Sequence, residues 1–99
     1  MADGISTTDL YESTFYLLNG CELVSVEGDR LGGRITCRLT FRGSRIAELQ
    51  LDYFHGKALV NLFEFRRAFG QINALVYSTQ KRVRRRSERK LGSEGGEAG

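Results

Sequence analysis

The residues of this chain that could perform chemistry are few, and they form no recognised catalytic or metal-binding pattern. Cys21 and Cys37 are the only cysteines, and His55 is the only histidine. A structural zinc site usually takes four nitrogen or sulfur ligands, often at CxxC or HxxxH spacing, and neither spacing occurs. A cysteine nucleophile needs a nearby base, and no local motif ties the histidine to either cysteine. We therefore expect a non-enzymatic domain without metal or cofactor, whose reduced thiols pack as small hydrophobic groups.

Two further motifs have simpler structural explanations. Asp52 precedes His55 by three residues, so the two side chains could meet on one helix turn as an acid–base pair. A histidine near a helix C-terminus is also favoured by the helix dipole alone. Residues 28–33 are rich in glycine, but they lack the Lys-Ser/Thr pair that ends a phosphate-binding loop. We interpret the first motif as a helix end and the second as a hairpin turn.

Basic residues supply the clearest chemical pattern. Residues 1–80 hold eight Lys or Arg against nine Asp or Glu, whereas residues 81–99 hold seven against three. A second group lies on one face of a predicted strand, where threonines alternate with arginines. Guanidinium and hydroxyl groups both contact phosphate. The candidate nucleic-acid-binding residues are Arg34, Arg38, Arg42, Lys81, Arg82, Arg84, Arg85, Arg86, Arg89 and Lys90.

These basic groups predict electrostatic binding of DNA or RNA by phosphate neutralisation, with little dependence on base sequence. No aromatic stacking platform is evident on the basic strand face, which argues against specific recognition of single strands. In the alternative interpretation Glu27 pairs with Arg34, and the basic tail only improves solubility. A second alternative is a protein-interaction or regulatory module of a phage or mobile element, which binds a host protein through exposed Leu23, Leu31 or Phe63.

Length and composition predict one small folded domain. The chain has 99 residues, 40% of them hydrophobic, which is enough for a single core. We expect a globular α+β domain over residues 7–80 and a flexible tail over residues 81–99, first basic and then acidic and glycine-rich. No stretch approaches the roughly eighteen apolar residues of a membrane span, and no basic region precedes an apolar run at the N-terminus. We expect a soluble, cytoplasmic protein.

The predicted architecture is a helix, an antiparallel β-hairpin and two further helices, with the hairpin packed on the helices. The first helix begins at Thr8 or Asp9 and ends at Gly20. The strands cover residues 21–27 and 34–42. Ser44 caps the second helix, which ends at Gly56, and the main core helix follows over residues 61–77, with Asn61 as its cap. Residues 1–6 have no periodicity, and we expect them to be mobile.

Matching the apolar faces of the hairpin sets Val26 opposite Ile35 and Val24 opposite Cys37, which places Glu27 opposite Arg34. On this register Cys21 points to the face opposite Cys37, so a disulfide between them is excluded. The predicted core consists of Leu17, Leu18, Val24, Val26, Ile35, Leu39, Phe41, Leu49, Tyr53, Phe65, Phe69 and Ile72.

Two motifs resemble a family of short bacterial and phage domains of unknown function. The first is a Leu-Tyr-x-x-x-Phe-x-Leu helix that ends at a glycine, and the second is a Tyr-x-x-Gly-x-Ala-Leu-Val segment ahead of a helix carrying phenylalanine. The resemblance covers about residues 8–77 and implies a fold without an assigned activity or catalytic residues. The chain departs from the pattern in its basic tail and at Leu62, where proline often begins the helix. The matching positions are Leu10, Tyr11, Phe15, Leu17, Gly20, Tyr53, Gly56, Ala58, Leu59, Val60 and Phe65.

Overall fold

The computed structural model describes residues 3–98, and the side chains of residues 4–30 and 32–86. It is an α+β fold with three helices and a three-stranded antiparallel sheet, and the helix, hairpin and two-helix order is as predicted. The elements are β1 Asp3–Thr7, α1 Leu10–Leu18, β2 Glu22–Leu31, β3 Arg34–Gly43, α2 Ile46–Phe54 and α3 Leu62–Ala98.

The strand β1 was not predicted. The sheet order is β1-β3-β2, so β1 occupies the free edge of β3 and pairs Ile5 with Phe41. The prediction that residues 1–6 are mobile is therefore wrong for the described part of that segment. The five residues of β1 include one half-buried apolar side chain, so its sequence does not alternate between apolar and polar residues as a predictable strand does. The strand forms because it pairs with the edge of β3.

The predicted register of the hairpin is also wrong. Val26 lies opposite Leu39 and Glu27 opposite Arg38, because the turn is only Gly32-Gly33 and β2 extends to Leu31. The observed register differs from the predicted one by an even number of residues, so the same side chains of β3 face the core and the solvent as predicted. A β-bulge between Leu23 and Ser25 interrupts the ladder and leaves Val24 exposed.

The helix ends follow local signals at most of the predicted positions. The Asp9 carboxylate accepts hydrogen bonds from the backbone N–H groups of Tyr11 (2.9 Å) and Glu12 (3.2 Å) at the start of α1. Gly20 and Gly56 follow α1 and α2 with φ of 81° and 72°, a conformation that favours glycine. The predicted Ser44 cap is wrong, because Arg45 occupies the N-cap of α2 and its side chain accepts no hydrogen bond from the helix backbone.

The start of α3 is as predicted, since the Asn61 side-chain oxygen accepts from the Glu64 backbone N–H at 3.1 Å. The helix then continues for 37 residues to Ala98. A rise of about 1.5 Å per residue makes it about 55 Å long, and the longest dimension of the molecule is 57 Å. The segment predicted as a tail, residues 81–99, thus has a helical backbone as far as Ala98. No helix in the described chain is both long and apolar enough to cross a membrane.

The core lies between the inner face of the sheet and the three helices. Leu39, Phe41, Leu49 and Ile72 are buried as predicted, whereas Val24 is not. Other predicted core residues are only partly buried, because α1 packs between α2 and α3 and takes the centre itself. The two cysteines are buried, as expected of thiols that pack as small hydrophobic groups. The other buried hydrophobic residues, which the predicted core did not include, are Phe15, Tyr16, Ile46 and Ala68.

Candidate nucleic-acid interface

The three strand arginines share the outer face of β3, as predicted, but two of them are paired with carboxylates. The Arg38 guanidinium donates to Asp29 at 3.3 Å, and the Arg42 Nε–H donates to Glu22 at 3.1 Å. The Glu27–Arg34 pair expected from the sequence is wrong, since Glu27 lies across from Arg38. Among the described residues, no carboxylate pairs with Arg34.

The register places Glu22, Glu27 and Asp29 on the same face as the three arginines, so the formal charges of this face balance. Both ion pairs are about half exposed and therefore weak. A phosphate could displace the carboxylates from these ion pairs. A face without net charge, however, exerts no long-range electrostatic attraction on a nucleic acid. Successive arginines are four residues apart, or roughly 13 Å along the strand, which is wider than the spacing of neighbouring phosphates on one strand.

The basic segment of α3, residues 81–86, differs from the strand face. Lys81, Arg82, Arg84, Arg85 and Arg86 are exposed, and none of them pairs with a carboxylate within the described side chains. The remaining two predicted residues of this group have side chains that lie outside the described part of the chain, namely Arg89 and Lys90.

Two contacts within α3 involve this segment. The Lys81 ammonium lies 5.6 Å from the centre of the Tyr77 ring, which is 63% exposed. Such a cation–π contact is weak at an exposed site. The Arg82 guanidinium donates to the buried Thr79 hydroxyl at 3.4 Å. The sequence analysis did not identify this exposed aromatic ring beside the basic segment.

Gly28 lies where the start of the basic segment packs against the sheet. A Cβ atom at this position would lie 2.6 Å from Val83 Cγ2, closer than real Cβ contacts allow, and 3.2 Å from Thr79 Cγ2, which is a tight contact. The residue was interpreted as part of a turn, but it lies within β2, and its missing side chain lets α3 approach. With Val83 directed at β2, the helical repeat directs Lys81, Arg84 and Arg85 away from the sheet.

A cleft of about 280 Å³ runs between β2 and α3 beside this contact. Arg82 and Arg86 line one wall, and Glu27 and Asp29 line the other. The Asp29 carboxylate pairs with Arg38 on the outer face of the sheet, so it is not free to neutralise the two helix arginines. The positive charge of α3 is therefore present on its outer side and extends into the cleft.

The cysteines are unsuited to nucleophilic chemistry. Cys21 and Cys37 are both free and both buried. Cys21 belongs to the core cluster with Leu39 and Phe41, which share the inner face of β3 with Cys37, so the predicted placement of the two thiols on opposite faces is wrong. Burial raises the pKa of each thiol, which disfavours the reactive thiolate. No group of three or more potential metal ligands occurs among the described residues. His55 follows α2 as its C-cap, on the surface.

Two tyrosine–carboxylate contacts involve α1, one within the helix and one between its N-cap and α2. The Tyr16 hydroxyl donates to the buried Glu12 carboxylate, which also accepts from Thr7 at 2.8 Å. Burial, and then this hydrogen bond, raise the pKa of Tyr16. The Tyr53 hydroxyl donates to Asp9 at 2.8 Å, and burial together with this bond raises the pKa of Tyr53 to about 12. Every buried side-chain polar atom among the described residues has a hydrogen-bond partner.

Comparisons of the chain with family models, with curated proteins and with solved structures found no match. The resemblance to short bacterial and phage domains therefore stays a prediction, and the candidate interface is interpreted from its geometry alone.

Proposed function

We propose that this protein binds nucleic acid through the basic segment of α3, residues 81–86. The observation that carries the proposal is that five of these six side chains are basic and exposed, and that none of them pairs with a carboxylate among the described residues. The strand face contributes less, because carboxylates of β2 balance its arginines.

The proposed mechanism is neutralisation of phosphates with release of their counterions. Six helical residues span roughly 9 Å, so the segment covers a short run of one phosphate backbone. Arg84 and Arg85 lie on the outer side of α3, where a backbone can approach without touching the sheet. Arginine contacts to phosphate carry no base information, so we expect similar affinity for different sequences.

A matched pair of charge variants tests this assignment. Lys81→Gln/Arg84→Gln/Arg85→Gln removes three charges from the helix, and Arg34→Gln/Arg38→Gln/Arg42→Gln removes three from the strand face. The assay is a fluorescence titration with short duplex and single-stranded DNA and RNA at low salt. We expect the helix variant to lose most of the affinity and the strand variant to keep most of it. Equal losses, or a larger loss for the strand variant, would contradict the proposal.

A second candidate function, protein binding, is favoured by one observation. Of the three anchors expected from the sequence, Leu23 packs against the core, and the Leu31 side chain lies outside the described residues. Phe63 is 77% exposed and has other exposed apolar residues close by in the chain. Deletion of residues 81–91 distinguishes the two functions. If the protein binds nucleic acid through the basic segment, the shortened chain should lose that binding. If it binds a protein through Phe63 and its neighbours, the shortened chain should still bind that protein.

A further inference from the structure

A second pair of basic residues, Arg66 and Arg67, lies on the side of α3 that points away from the core. Both are exposed, and neither is in an ion pair among the described residues. Each lies 18 residues before an arginine of the basic segment, Arg84 or Arg85. Because 18 residues make about five complete turns, the two pairs project from the same side of the helix, about 27 Å apart.

The stretch of α3 that joins the two basic groups has no negative charge. Between Glu64 and Glu88 the helix carries seven basic residues and no acidic one. Ile72 and Thr79 are buried and fix the side that faces the core. A polyanion that lies along the opposite side therefore meets no repelling charge of the helix between the two basic groups.

An exposed aromatic ring lies between the two basic groups. Tyr77 precedes Lys81 by one turn and follows Arg66 by 11 residues, or about three turns, so it shares their side of α3. The residue is 63% exposed, and among the described residues no other aromatic ring contacts it. An open ring among cations is the arrangement on which single-strand-binding proteins stack bases. We call this surface the outward face of α3, and its members are Arg66, Arg67, Tyr77, Lys81, Arg84 and Arg85.

We propose that the outward face of α3 prefers single-stranded nucleic acid, with an unpaired base stacked on Tyr77 and phosphates bound by the basic residues on both sides of the ring. The inference rests on the proposed nucleic-acid binding by the basic segment, and it adds a strand preference and a longer contact. Because every base has a face that can stack, the preference is for single strands and not for a base sequence.

A duplex fits the outward face less well than a single strand for two reasons. The bases of a duplex are stacked on one another and present only their edges in the grooves, so none can stack on Tyr77. Each backbone of a duplex also completes a turn in roughly 34 Å and curves away from a straight helix. A flexible single strand can follow α3 over the whole distance between the two basic groups.

Fluorescence titrations of the full chain with oligothymidine, oligouridine and a DNA duplex of equal length test the role of the ring. We expect Tyr77→Leu to weaken binding of both single strands at least about fivefold and to leave the affinity for the duplex unchanged. Tyr77→Phe keeps the ring and should bind every probe as the unchanged protein does. Circular dichroism shows whether each variant is folded.

The salt dependence of oligothymidine binding tests the second basic pair. Each phosphate contact to a single strand contributes about −0.7 to the slope of log K against log salt concentration, so Arg66→Gln/Arg67→Gln should make the slope shallower by about 1.4. The control Arg45→Gln/Lys57→Gln removes two exposed charges elsewhere and should leave the slope unchanged. Tyr77→Leu should lower the affinity without a change of slope, because the ring carries no charge.

The inference is overturned if Tyr77→Leu weakens single strands and duplex equally or has no effect, or if Arg66→Gln/Arg67→Gln behaves like its control. Those results leave the proposed function standing when Lys81→Gln/Arg84→Gln/Arg85→Gln still loses affinity for the probes. Absence of binding to every probe at low salt would overturn both the inference and the proposed function.

Discussion

Replacing Gly28 with alanine is expected to separate α3 from β2 at the basic segment. The new Cβ atom would lie 2.6 Å from Val83 Cγ2 and 3.2 Å from Thr79 Cγ2. Favourable carbon contacts lie at roughly 3.5–4.0 Å, so the valine must retreat by about 1 Å. It has little freedom to do so by rotation, because a β-branched side chain in a helix has one strongly preferred rotamer.

The expected cost follows from two opposing terms. Overpacking costs about 1–3 kcal/mol, and the loss of glycine's freedom in the unfolded chain returns about 0.4–1 kcal/mol. We expect Gly28→Ala to lower the free energy of unfolding by about 1–2 kcal/mol, measured by urea denaturation. Gly33→Ala is the matched control, since a Cβ there meets nothing within 4 Å and the residue is not among the positive-φ glycines.

A double mutant identifies the contact responsible. Val83→Ala removes the methyl group nearest to the new Cβ, so Gly28→Ala should cost at least about 1 kcal/mol less in that background. The reasoning is refuted if Gly28→Ala and Gly33→Ala have the same effect on stability, or if the cost of Gly28→Ala is unchanged when Val83 is alanine.

Two further predictions concern the start of α1 and the tyrosines. Asp9→Ala removes both the cap of α1 and the acceptor for Tyr53, and should cost about 1–2 kcal/mol in urea denaturation, whereas Ser44→Ala should cost almost nothing because Ser44 caps no helix. The folded-state pKa of Tyr53 is raised to about 12 and that of Tyr16 is also raised. Their contribution to stability is therefore complete below the unfolded pKa of about 10 and lost as pH rises through the folded values. Urea midpoints from pH 8 to 12 should fall, and Tyr53→Phe should reduce that fall; a midpoint independent of pH would contradict the assignment.

The parts of the fold that could be predicted are those with local causes. Asp9 and Gly20 mark the ends of α1 by hydrogen bonding and backbone conformation within a few residues. The alternation along β3 places its side chains correctly, since each strand residue reverses direction whatever its partner. By contrast, β1 exists only because β3 offers it an edge, and nothing in its own sequence indicates a strand.

The candidate site also has features with local causes and features that depend on residues distant in the chain. The sequence was sufficient to place Arg38 and Arg42 on one face, but not to find their carboxylate partners, which depend on the register of β2. That register depends on a bulge near Val24 and on a turn shorter than its glycine content suggested. The role of Gly28 was hidden for a related reason, because the atoms it accommodates belong to a helix fifty residues later in the chain.

The most direct test of nucleic-acid binding by the basic segment is the salt dependence of affinity for duplex DNA. Each neutralised phosphate contributes about −0.9 to the slope of log K against log salt concentration. The five exposed basic residues of the segment predict a slope between about −3 and −4.5, and Lys81→Gln/Arg84→Gln/Arg85→Gln should make it shallower by about 2 to 3. No binding at low salt, or a slope that this variant leaves unchanged, would contradict the account.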